Sequence, residues 1–134
     1  MYEFENDCLH LMIDEEARLM YSEWLRKPTS EEYREAMRIV AGYLRDKNVE
    51  FWIQDTNRLG EVPVEDLAVI VHDLVPALSS SSLKKLARIT SDDKNLAAFM
   101  EMAARMKVKL NKAIEIQQFK TYREAAEWLN DSAD

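Results

Sequence analysis

Glycine and proline are scarce: two Gly and three Pro among 134 residues leave little room for long flexible loops. Cysteine is nearly absent, and a lone Cys8 excludes an internal disulfide and fits a reducing compartment. His10 and His72 are the only imidazoles. Together with Cys8, two residues from His10 on the same strand face, they fall short of the three or four ligands a zinc site needs, so no metal is expected. No apolar run approaches the ~18 residues of a membrane span, and the N-terminus lacks the basic-then-apolar pattern of a secretory leader. The expectation is a cytoplasmic protein with no membrane span.

Positive charge is in deficit as well. A net charge of -7 opposes binding to a phosphate backbone, where affinity comes from Lys and Arg displacing counterions, so no nucleic-acid partner is expected. The one basic cluster, Arg105 with Lys107, Lys109 and Lys112, reads as a solvated helix end. There is no glycine-rich phosphate loop, no nucleophile elbow and no Cys-His pair with an orienting third group. The paired acids Glu31-Glu32, Glu65-Asp66 and Asp92-Asp93 each stand at a helix start, where the helix dipole accounts for them. No catalytic residue and no cofactor is called for, and the chain reads as non-enzymatic.

What is present is an ordinary globular balance, 47% hydrophobic and 32% charged, which favours a folded chain over a disordered one. Residues 1–134 form one domain, long enough to bury roughly two thirds of the surface of its unfolded chain. Residues 8–14 alternate, with Leu9, Leu11 and Ile13 on one face, and residues 18–25 alternate with Met20, Ser22 and Trp24 opposite Leu19, Tyr21 and Leu25. They predict an antiparallel hairpin turning at Asp14-Glu15-Glu16. Thr29 or Ser30 caps a helix with Tyr33, Met37, Val40 and Leu44 as its buried stripe. Residues 49–54 are apolar on both faces, as an inner parallel strand must be.

A second helix opens at Pro63, buries Leu67, Ile70, Val71, Leu74 and Leu78, and is kinked or stopped by Pro76 before the polar run Ser79-Ser80-Ser81-Ser82. Residues 85–89 are a strand. Ser91 or Asp92 caps a third helix with Leu96, Phe99, Met100, Ala103 and Met106 facing inward. Residues 113–117 are the last strand, and Thr121 caps a final helix. The order β-β-α-β-α-β-α-β-α predicts an α/β fold, a mostly parallel five-stranded sheet with an N-terminal antiparallel hairpin.

The inner strand runs into Asp55-Thr56-Asn57-Arg58-Leu59-Gly60, and loops at the carboxyl ends of such strands are where ligands and partners dock. This loop resembles the signature loop of STAS domains, the family of the bacterial anti-sigma-factor antagonists, in which a strand ends in Asp-Ser-Ser/Thr-Gly-Leu-Gly. Asp55, Thr56, Leu59 and Gly60 fit that pattern. Asn57 and Arg58 depart from it, standing where the family has its phosphorylated hydroxyl and first glycine. Tyr21-Ser22-Glu23-Trp24, residues 29–33, residues 85–89 and residues 119–129 extend the likeness over about residues 8–130. Within the family the chain is most similar to the SpoIIAA-like branch, related to CRAL-TRIO lipid-transfer domains. The resemblance implies a bacterial, non-catalytic regulatory or protein-interaction module; the alternative it implies is a carrier or sensor of a small apolar ligand or lipid.

Two surfaces are candidates. In the loop, Asp55, Thr56, Asn57, Arg58 and Gly60 form the first. Asn57 cannot accept a phosphoryl group, Asp55 and Thr56 can close the turn through side-chain to backbone bonds, and Arg58 can meet an anionic group or pair with Glu61 or Asp55. On the third helix, Phe99, Met102 and Met106 belong to an apolar face wider than one sheet requires. That surplus predicts a pocket, a second subunit in a homodimer, or a protein partner. An internal cavity would favour the apolar-ligand reading.

Overall fold

Alternation in the N-terminal part of the chain builds three antiparallel strands, Tyr2–Glu5 (β1), Leu9–Asp14 (β2) and Leu19–Trp24 (β3), in the computed structural model, which describes residues 1–91, 93–109 and 113–131. From β3 onward each strand is followed by a helix: Ser30–Asp46 (α1), Phe51–Asp55 (β4), Val64–Ser80 (α2), Lys85–Ile89 (β5), Lys94–Arg105 (α3), Glu115–Phe119 (β6) and Tyr122–Asp131 (α4). Among the described residues the sheet has six strands in sequential order, β1-β2-β3-β4-β5-β6, with β3 to β6 parallel. The expected α/β sheet with its N-terminal hairpin is therefore present, and β4 is an inner parallel strand.

The difference is the added edge strand. Tyr2-Glu3-Phe4-Glu5 alternates apolar and acidic residues and pairs with β2, placing Tyr2 opposite Ile13 and Phe4 opposite Leu11. Four residues at a terminus carry too little periodicity to stand out from a tail. Boundaries also move, and β4 covers Phe51–Asp55 rather than residues 49–54. Helix α2 runs through Pro76 to Ser80, so the first two serines of the run are helical. Pro76 and His72 both lie on the exposed face of α2, where water can take the carbonyl that a proline leaves unbonded. Strand β6 starts at Glu115 rather than residue 113, aligning Ile116 with Leu86 and Phe119 with Ile89. The α3 cap is Asp93, whose side chain accepts from the Leu96 amide; Asp92 lies outside the described residues.

The sheet's two faces bury different cores. On one, Leu9, Leu11, Ile13, Met20, Trp24, Trp52 and Leu86 pack under Met37, Val40 and Leu44 of α1 and Leu67, Ile70 and Leu74 of α2. Like-handed crossovers between neighbouring parallel strands put successive helices on the same face. The other face carries a smaller cluster, Ile53, Ala87 and Ile89 against Ala125 of α4, with Trp128 and Leu129 alongside. Helix α1 starts at a full capping box: Thr29 accepts from the Glu32 amide while Glu32 accepts from the Thr29 amide. Arg26 grips the same Glu32 carboxylate at 2.6 and 2.9 Å, and that guanidinium, with the Thr29 amide, holds Glu32 down at about 2.

Candidate functional site

Between the sheet and the helices α1, α2 and α3 lies an apolar cavity of about 280 Å³. Its floor is one row of the sheet, Trp52, Leu86 and Ile116, aligned by strand register on β4, β5 and β6. The roof comes from Tyr33 and Met37 of α1, Leu67, Ile70, Leu74 and Leu78 of α2, and Leu96, Phe99 and Met100 of α3. Leu83, Ala113 and Ile114 line it as well. The space exists because α3 packs along α2 without sinking into the sheet: none of its residues is fully buried, whereas α2 buries Leu67, Ile70, Val71, Leu74, Val75, Ala77 and Leu78.

The next residues along the strands, Gln54 and Arg88, make the cavity polar toward the carboxyl ends of the sheet. Arg88 is almost wholly buried, and each of its three nitrogens donates a hydrogen bond. Its Nε and Nη2 donate to Asp93 Oδ2 and Oδ1 at 2.5 and 2.9 Å, and its Nη1 donates to Gln54 Oε1 at 2.6 Å. Asp93 thus neutralises the guanidinium and caps α3 with the same carboxylate. Asn95 adds a second tie at that end, donating to the Gly60 carbonyl at 2.7 Å and accepting from the Val62 amide at 2.9 Å. Helix α3 is therefore anchored through its first turn.

Tyr33 also lines the cavity, its ring stacked on Trp24 with centroids 5.5 Å apart. Burial pushes its phenol above the ordinary range; Arg88 opposes that shift and Asp66 adds to it. Asp66 is 1% exposed in the adjoining recess and accepts from Arg34 Nε at 2.8 Å through Oδ1. Its Oδ2 meets no hydrogen-bond partner among the described residues.

The loop after β4 is closed by its own side chains. Asp55 accepts from the Asn57 amide at 3.0 Å, and the buried Thr56 donates from both its amide and its hydroxyl to the Ile89 carbonyl. Leu59 is buried and reaches the cavity, while Gly60 takes φ +75, a left-handed conformation in which a Cβ would lie 3.2 Å from the Lys27 side chain. Arg58 is exposed. It pairs with neither Asp55 nor Glu61 and reaches only the Leu25 carbonyl at 3.5 Å among the described residues.

The third-helix candidates divide. Phe99 lines the cavity and Met102 packs against the main core, both half-buried, while Met106 is 37% exposed. Met100, expected to face inward with Met106, is 55% exposed at the cavity rim. Of the basic cluster, Arg105 pairs with Glu101, Lys107 and Lys109 are exposed, and Lys112 lies outside the described residues. Cys8 and His10 take separate partners: Cys8 is buried in the helix-side core, and His10 bonds Glu3 at 2.8 Å. Among the described residues no group of three or more His, Cys, Asp or Glu is placed to hold a metal ion, and no helix is long and apolar enough to cross a membrane.

Tyr33, Gln54, Arg88 and Asp93, which shape the polar end of the cavity, were not among the sequence candidates. The available signal was Gln54 and Arg88 themselves, polar residues inside the otherwise apolar strand runs Phe51-Trp52-Ile53 and Leu86-Ala87-Arg88-Ile89. No family model matches the chain, and no curated protein matches it.

Proposed function

We propose that the protein is a non-catalytic carrier or sensor of a small apolar ligand, built as a STAS-like domain of the SpoIIAA-like branch related to CRAL-TRIO lipid-transfer domains. The observation that carries this reading is the cavity of about 280 Å³ walled by Leu, Ile, Met and Phe side chains. Ligand sites are ordinarily concave and apolar with a few placed polar groups, the composition of this one. Apolar surface left facing water costs roughly 25 cal/mol per Å², so an apolar occupant that covers these walls is stabilising.

Native mass spectrometry of the protein as purified, before and after organic extraction, tests the reading. The expected result is a small bound species that extraction removes and that Leu96→Trp, which fills the space beneath α3, excludes. A bare chain that also fails to bind added apolar molecules would overturn it.

The second reading is a protein-interaction module, favoured by the exposed Met100 and Met106 on α3 and the exposed Arg58. Sedimentation equilibrium tests its homodimer form. A dimer dissociated by Met106→Glu supports it, and a monomer at all concentrations removes that form.

A further inference from the structure

We propose that the ligand of this cavity carries a neutral hydrogen-bonding head, a hydroxyl or carbonyl rather than a carboxylate or an ammonium, seated against Gln54 and Tyr33 with its apolar body running toward Ile114 and Leu83. This rests on the apolar-ligand reading and adds to it the chemistry and the orientation of the occupant.

The first support is Gln54. It is 6% exposed, lines the cavity, and has its amide orientation fixed, because a guanidinium only donates and Arg88 Nη1 must face Oε1. Its Nε2 is left with no acceptor among the described residues. That donor is not sealed from solvent, so a ligand oxygen would take the place of water on it. The second is Tyr33, on the same cavity, within the electrostatic reach of the Arg88 that holds Gln54. Its hydroxyl also has no hydrogen-bond partner among the described residues, and it can both donate and accept. Together they offer a donor to a carbonyl, or a donor and an acceptor to a hydroxyl.

Charge decides against the ionic alternatives. The cavity's cation, Arg88, is already neutralised by both oxygens of Asp93, and Asp66 beyond Tyr33 is held by Arg34. An anionic head could reach only the second N–H of Nη1 or Nη2, on a guanidinium whose charge Asp93 already balances, and would stand against the Asp93 carboxylate. A cationic head would face Arg88 at the polar end. Either ion would lose its water without gaining a free counter-charge, whereas a neutral head gives up far less hydration.

The test titrates the full chain with 1-octanol, octanoate, octylammonium and 1-fluorooctane, following the fluorescence of Trp52 on the cavity floor and confirming affinities by calorimetry. The expected order places 1-octanol about tenfold or more ahead of both ions and ahead of 1-fluorooctane. Tyr33→Phe keeps the stacked ring and removes only the hydroxyl, and should narrow the gap between 1-octanol and 1-fluorooctane; Gln54→Leu should narrow it too. An ion that binds as well as the alcohol overturns the neutral head. Equal binding of 1-octanol and 1-fluorooctane, or a gap unchanged in both variants, overturns the placement. Failure of all four compounds to bind overturns the cavity reading and this inference with it, whereas binding without preference overturns this inference alone.

Discussion

Helices α2 and α3 follow neighbouring parallel strands and lie side by side on the same face of the sheet, yet they are held in opposite ways. Helix α2 has no side-chain cap and is fixed along its length, with an unbroken inner row from Leu67 to Leu78. Helix α3 buries no residue fully: its first turn is tied by the Asp93 cap, the Arg88-Asp93 pair and the Asn95 bridges, and beyond it the half-buried Ala98, Phe99 and Met102 reach the core. Burial stabilises through area, so α2 acts as a wall. Beneath Leu96, Phe99 and Met100 the helix stands off the sheet, and the space left there is the cavity.

Breaking the tie should have the largest effect. Asp93→Ala removes the partner of a buried guanidinium and the α3 cap together, and should lower stability by about 3–5 kcal/mol in urea unfolding. Asp93→Asn, which keeps the cap and loses the charge, should recover part of that loss. On α2, Ile70→Ala should destabilise by about 2–5 kcal/mol, the range for truncating a buried aliphatic side chain. On α3, Met100→Glu should fall within about 0.5 kcal/mol of the parent, because that side chain is mostly in water. A large loss at Met100 would show α3 to be packed like α2.

The exposed cap of α1 provides a pH comparison. Glu32 is held at about 2 in the fold against an ordinary 4.5, so its contribution is complete above pH 4.5 and is lost as the pH falls toward 2. Glu32→Gln should therefore flatten stability against pH in that window and leave the profile above it unchanged. Because Glu32 and Arg26 face solvent, this effect is the smallest of the set.

The hairpin and the inner strand were legible because burial imposes period two on Leu9, Leu11 and Ile13 and two-sided apolarity on residues 51–53. The width of the apolar face on α3 was legible too. Which of its residues turn inward was not: Met100 and Met106 share helical spacing with Leu96 and Phe99, and only the depth at which the helix rests decides their exposure. That depth is set by Arg88 and Asp93, five residues apart across a strand end, a tertiary fact that no local period encodes. The loop at Asp55 was legible as a turn, but its inward contributions, buried Thr56 and Leu59, depend on the neighbouring β5 and on the cavity.

The central question is whether an apolar molecule occupies the space beneath α3. Methyl-resolved NMR during titration with 1-octanol tests this directly, since Ile70, Leu86, Leu96 and Ile116 line the cavity while Ile13 and Leu129 lie away from it. Saturable shifts are expected at the four lining residues and none at the other two. Shifts confined to the exposed Met106 methyl, or no saturable shift at any methyl, would contradict occupancy of the cavity.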